Sequence, residues 1–221
     1  MQNRVRFSDN TLVEVIGNVA SGKTTLAKKL PEYTNLAYAD IDLFEENPFM
    51  VPSVEDPTRW VFTEEVYFDF LRSKQIPKVL EELKHTPLVL DQGFHMPFYM
   101  YTINRYKQKH MTEKEWEFAQ KLHSHLLEGA PVASTAVFLD VPVDVLLQRM
   151  NARGRKDERE HEKLYTREYL TQLEVGLREY VKTYIDANKM VITYNQHENS
   201  FTSYGNPHNE FVDLLRSLIA A

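Results

Sequence analysis

The chain has 221 residues, 43% of them hydrophobic, a formal net charge of −6 and no cysteine. A chain of that length buries a sizeable core, and the expectation is one α/β domain over 1–221. The acidic balance argues against a nucleic-acid backbone as main partner, and the absence of cysteine excludes disulfides, thiolate metal sites and thiol nucleophiles.

Leu12 to Ile16 reads as a first buried strand. The apolar stretch around it, Thr11 to Ala20, is broken by Glu14 and Asn18. No stretch approaches the ~18 apolar residues that span a bilayer, so the expectation is a cytoplasmic protein with neither a membrane nor a nucleic-acid partner. Gly17-Asn18-Val19-Ala20-Ser21-Gly22-Lys23-Thr24 follows the strand and fits G-x-x-x-x-G-K-[ST], with helix formers from Leu26 to Leu30 behind it. The glycines let backbone N–H groups turn inward around a phosphate, and the helix N-terminus adds partial positive charge there. Lys23 would reach the β- and γ-phosphates and the Thr24 hydroxyl would bind Mg²⁺, so ATP or a similar triphosphate is the expected donor.

A second strand is expected at Leu36 to Ala39 and a helix over Trp60 to Arg72. The third strand, Leu88 to Leu90, ends in Asp91, where a parallel strand places a carboxylate beside the cradle as a candidate Mg²⁺ partner. Glu113 to Leu127 is helical in spacing, Ala136 to Leu139 is a fourth strand, and Arg167 to Ile185 is a helix with Leu170, Leu173, Leu177, Tyr180, Val181 and Tyr184 on one face. Met190 to Thr193 is the fifth strand, Asn195 to Asn209 reads as a loop, and Glu210 to Ala220 as a final helix. Strands separated by helices imply crossovers, and hence a five-stranded parallel sheet flanked by helices.

Arg149, Arg153, Arg155 and Arg159 cluster after the fourth strand and its helix. A solvated face has the same composition. Two features favour a lid over about 149–162: arginines that close on a transferred phosphoryl group act where charge must be stabilised, and Gly154 supplies backbone freedom within the cluster.

These residues resemble the deoxynucleoside kinase family, over nearly the whole chain. The resemblance is carried by Gly17 to Thr25, Asn47-Pro48-Phe49, Asp56 to Phe68, Met111-Thr112-Glu113 and Arg149 to Glu158, in family order. It implies transfer of a γ-phosphoryl group to the 5′-hydroxyl of a deoxynucleoside-like acceptor, in a protein that is often a homodimer. Carried over residue by residue, Gly17 to Thr25 with Arg149 and Arg153 hold the nucleotide. Lys23, Arg153 and Arg155 act on the transferred group, Thr24 and Asp91 face Mg²⁺, and Glu158 meets the sugar 3′-hydroxyl. Trp60 and Arg72 belong to the acceptor pocket, and Tyr101 falls where an aromatic stacks on the base. The stretch from Phe94 to Tyr101 that contains it is equally what core packing would require.

The acceptor side departs from the family pattern. The base-reading glutamine is Glu65. The glutamate that receives the 5′-hydroxyl proton is replaced by Asp42, by its spacing to Asn47-Pro48, with Asp40 as the alternative. The arginine beside the reacting oxygen is Gln92, the aspartate paired with the pocket arginine is Pro97, and the sugar-contacting tyrosine is Val54. An ionised Glu65 presents acceptors only, which suits guanine's adjacent N1–H and amino group, or an ion pair with Arg72. Three readings follow: a nucleoside kinase with altered base preference, a P-loop kinase for another small hydroxyl or nucleotide acceptor, and an ATP-binding subunit without catalysis.

Overall fold

The computed structural model describes residues 5–41, 44–153 and 165–219, except the side chains of Glu45 and Arg153. Strand β1 (Leu12–Gly17) is buried along its whole length, which is why it reads as a run and not as an alternation. It lies at the centre of a sheet ordered β2-β3-β1-β4-β5-β6, where β2 is Ala37–Ala39, β3 Leu88–Asp91, β4 Thr135–Asp140, β5 Met190–Asn195 and β6 Ser200–Tyr204. The first five strands pair in parallel. β6 pairs antiparallel to β5, with Tyr194 opposite Phe201.

The sheet therefore has six strands and not five, and the sixth falls in the segment expected to be a loop. Its residues lie mostly at the surface, so the apolar signal is weak. Phe201 packs against Tyr194 at 4.9 Å. The turn has a legible signature, since Asn199 takes a left-handed φ of 48° and accepts from the Tyr194 hydroxyl at 3.1 Å.

The helices are α1 (Lys23–Tyr33), α2 (Met50–Glu55), α3 (Pro57–Ser73), α4 (Ile76–Leu83), α5 (Ile103–Lys107), α6 (Glu113–Leu126), α7 (Val143–Arg153), α8 (Arg167–Asp186) and α9 (Asn209–Ile219). Asp56 caps α3 by accepting from Arg59 N–H, and Thr112 with Glu115 forms a reciprocal capping box on α6. The face of α8 expected from its spacing is the buried one, with Tyr169 and Gly176 added. Gly176 must be glycine, because a Cβ there would collide with the Tyr99 carbonyl. Tyr99 belongs to a π-helical turn, Phe98–Thr102, just before α5. The aromatic stretch is divided: Phe94, Met96 and Met100 are core, while Phe98, Tyr99 and Tyr101 are only half-buried.

Candidate active site

The phosphate cradle joins β1 to α1 at the C-terminal edge of the central strand. Ala20 (φ 61°) and Gly22 (φ 99°) are left-handed, which turns the intervening N–H groups to one side. Gly17 has no room for a side chain, since its Cβ would strike the Ser21 hydroxyl. Asn18 is buried; its Oδ1 accepts from Val19 N–H at 2.8 Å and its Nδ2 donates to the Leu170 carbonyl at 2.9 Å, which fastens the cradle to α8. Lys23 Nζ lies 3.5 Å from the Asn18 carbonyl across the loop. Thr24 and Thr25 are exposed in the first turn of α1. Arg149 of α7 donates to the Ala20 and Ser21 carbonyls at 3.3 and 2.9 Å and to Gln196 at 3.1 Å. It thus braces the cradle from its carbonyl side, and it lines a cavity of about 450 Å³ with Ser21, Gly22, Thr25, Tyr194 and Gln196.

Asp91 ends β3 in register with Val15 of β1, so the adjacent strand delivers its carboxylate beside the cradle. Among the described residues, its Oδ1 is buried without a hydrogen-bond partner, as is the Ser21 hydroxyl. An orphaned carboxylate oxygen of this kind, with the Thr24 hydroxyl in the first turn of α1, fits a hard divalent cation such as Mg²⁺.

On the side where the resemblance would put the acceptor, α3 carries Glu64, Glu65, Asp69 and Arg72, all buried. Glu65 accepts from the Thr102 hydroxyl at 2.7 Å. Burial, then the Glu64 charge, pushes its carboxyl up to about 8, against the opposing pull of Thr102, Arg105 and Arg72. Burial thus favours the protonated form of Glu65. In that form it offers one donor and one acceptor, as a glutamine amide does, whereas the sequence reading took it as an acceptor-only carboxylate. Burial also raises Glu64, opposed by Arg105 and by a hydrogen bond from Ser53.

Arg72 pairs with Asp69 at 3.3 Å. The partner that the resemblance would put at position 97 is thus supplied from within α3, three residues away. Asp69 also holds His123 Nδ1 at 2.9 Å, and His123 Nε2 lies 3.2 Å from His95 Nδ1. Burial, then the His123 charge, lowers His95 to about 4, which keeps it neutral. Trp60 is half-buried, stacked on Phe49 at 5.7 Å under the Arg59 guanidinium, and Tyr101 lies half-buried in the π-helical turn. Asn47 donates to the Glu64 carbonyl at 3.0 Å, which ties the segment after β2 to α3. Asp40 is exposed just after β2.

Asp42, Arg155 and Glu158 lie outside the described residues, as does the side chain of Arg153; the backbone of Arg153 ends α7. Several polar residues of this region carried no sequence signal. Among the described residues, Glu64 Oε2, Asn104 Nδ2, Arg105 Nε and His110 Nδ1 are buried without a hydrogen-bond partner, and Arg105 lies over the Tyr169 ring at 5.7 Å. Asn104, Arg105, His110 and Tyr169 line a cavity of about 610 Å³ between α5 and α8. Buried polar atoms left unpaired are costly, and among the described residues they gather at the cradle and around α3 and α5.

A family model described as deoxynucleoside kinase matches residues 13–220. A deoxyguanosine kinase of Bacillus subtilis (strain 168) is 22% identical over 169 residues, covering 76% of this chain and 78% of that protein. A deoxyguanosine kinase of Lactobacillus johnsonii is 27% identical over 154 residues, covering 67% and 66%. The solved structure of deoxyadenosine kinase from M. mycoides with bound dCTP superposes with a TM-score of 0.70 at 17% identity, over 95% of this chain and 99% of that one. No helix among the described residues is long and apolar enough to cross a membrane.

Proposed function

The chain belongs to the deoxynucleoside kinase family, and we propose that it transfers the γ-phosphoryl group of ATP to the 5′-hydroxyl of a deoxynucleoside. The observation that carries the reading is the cradle on the central strand, with Asp91 delivered beside it by the neighbouring strand. Of the readings open from the sequence, family membership favours this one.

The cradle N–H groups and Lys23 bind the β- and γ-phosphates, and Arg149 keeps the loop from opening. Thr24 and Asp91 would hold Mg²⁺, which supplies charge neutralisation on the phosphate oxygens. Arg153 and Arg155 stabilise the charge that grows on the transferred group, and Glu158 meets the sugar 3′-hydroxyl. Asp42 receives the 5′-hydroxyl proton and, being short, must sit within ~3 Å of it or act through one water. Glu65, steadied by Thr102, reads the base edge, and Trp60, Tyr101 and the Asp69-held Arg72 shape the pocket. A protonated Glu65 serves a base edge with one donor and one acceptor, such as adenine N6/N1 or cytosine N4/N3, as well as a glutamine would.

A homodimer through α3 and α6 is part of the same reading. Phe118 is 53% exposed on α6 and stacks on Phe62 of α3, leaving apolar surface that a second copy would cover. A cytoplasmic location accords with the chemistry of the substrates. The test is phosphoryl transfer from ATP to the four deoxynucleosides by the wild type and by Asp42→Asn. Transfer to at least one, lost in Asp42→Asn, is expected; no transfer to any deoxynucleoside refutes the acceptor assignment, and a monomer by sedimentation refutes the dimer.

A further inference from the structure

Glu14 stands in the middle of β1, where the flanking positions are Val13 and Val15 and the side chain is 1% exposed. An apolar residue would suit such a position, since removing a buried carboxylate in favour of a hydrocarbon of similar size is often neutral or stabilising. The acid is held by three donors from two other parts of the chain. Gly93 N–H donates to Oε1 at 2.6 Å, Tyr180 O–H donates to Oε2 at 2.9 Å, and Tyr184 O–H donates to the same oxygen. The two tyrosines lie one turn apart on α8.

Gly93 is two residues beyond Asp91. Between them Gln92 has a left-handed φ of 58°, a conformation disfavoured for a residue with a side chain and maintained only where the surroundings enforce it. The turn is pinned on both sides: Gln92 N–H donates to the Val15 carbonyl at 3.1 Å, and Gly93 N–H donates to Glu14. Gly93 lies against the carboxylate so closely that a Cβ would fall 2.6–2.7 Å from its atoms.

We infer that Glu14 is a positioning residue of the active site: it fixes the backbone turn after Asp91 and, through it, the direction of the Asp91 carboxylate. α8 takes part from both ends, since its tyrosines orient Glu14 while its Leu170 carbonyl holds Asn18 of the cradle. One helix thereby sets the spacing between the phosphate loop and the acid beside it. The inference rests on the role proposed for Asp91.

The experiment compares Glu14→Gln, Gly93→Ala and Asp91→Asn. Turnover is measured with the best deoxynucleoside, and the Mg²⁺ dependence of binding of a nonhydrolysable ATP analogue is measured by calorimetry. Glu14→Gln keeps the shape but turns one acceptor into a donor facing the tyrosines. It is expected to lower kcat by about 10–100-fold, the range for residues that orient a metal-facing group. KM for both substrates should stay within about twofold, and more Mg²⁺ should be needed for half-maximal tightening of the analogue. Gly93→Ala pushes a methyl onto the carboxylate and should reproduce both effects if Glu14→Gln does not fold. Wild-type kcat and Mg²⁺ dependence in either folded variant, while Asp91→Asn loses both, overturns the role of Glu14 alone. An unaffected Asp91→Asn overturns the role of Asp91 and the inference with it.

Discussion

Replacing Glu65 by glutamine should make the protein progressively more stable than the wild type as pH rises. The Glu65 carboxyl stands at about 8 in the folded chain against an ordinary 4.5, from burial first and the Glu64 charge second. Between those values the folded state holds a proton that the unfolded chain has released. Stability is then fully present below 4.5 and falls as pH climbs, by about 1.4 kcal/mol per unit for one group, until the loss ends near 8. Glu65→Gln keeps the Thr102 contact and removes the titration, so the difference between variant and wild type should grow with pH and level off near 8. At ~2–4 °C per kcal/mol for a chain of this size, thermal scans at pH 5, 6, 7, 8 and 9 resolve the effect. Glu64→Gln removes the like charge and should bring the plateau to lower pH. At pH 7 the wild type and Glu65→Gln should rank the four deoxynucleosides alike and diverge above pH 8, where the carboxylate ionises. A constant difference in stability from pH 5 to 9 would refute the protonated Glu65, and with it the base reading built on it.

Lys23→Ala should abolish turnover and weaken binding of an ATP analogue by at least about tenfold, measured by calorimetry, because it removes the one cationic side chain in the cradle sequence. Gly17→Ala drives a methyl onto the Ser21 hydroxyl and should cost about tenfold in triphosphate affinity while leaving deoxynucleoside binding unchanged in a thermal-shift titration. Arg153→Ala and Arg155→Ala should each lower kcat by on the order of 10²-fold or more with little change in acceptor KM; wild-type turnover in both would reduce the arginine run to a solvated face.

The strand–loop–helix unit of the cradle was legible in the chain because it is written in consecutive residues: the apolar run of β1, glycines that permit the turn, then Lys23 and Thr24 opening α1. The five parallel strands were legible as well, as short apolar runs, most plainly β1, β3 and β4, which are buried along nearly their whole length. β6 was not, because an edge strand lying mostly at the surface needs little apolar residue beyond Phe201. The state of Glu65 could not be read locally: its neighbour Glu64 is visible in the sequence, but burial, the first cause of its raised carboxyl, comes only with folding, which also brings up Thr102 from the π-helical turn and Arg105 from α5 to oppose the rise. Glu14 looked like an interruption in an apolar run; its meaning appears when Gly93, 79 residues on, and Tyr180, 166 residues on, converge on one carboxylate. Backbone conformation and hydrophobic runs are properties of neighbours in sequence, whereas the charge state and aim of a buried acid belong to whatever packing brings around it.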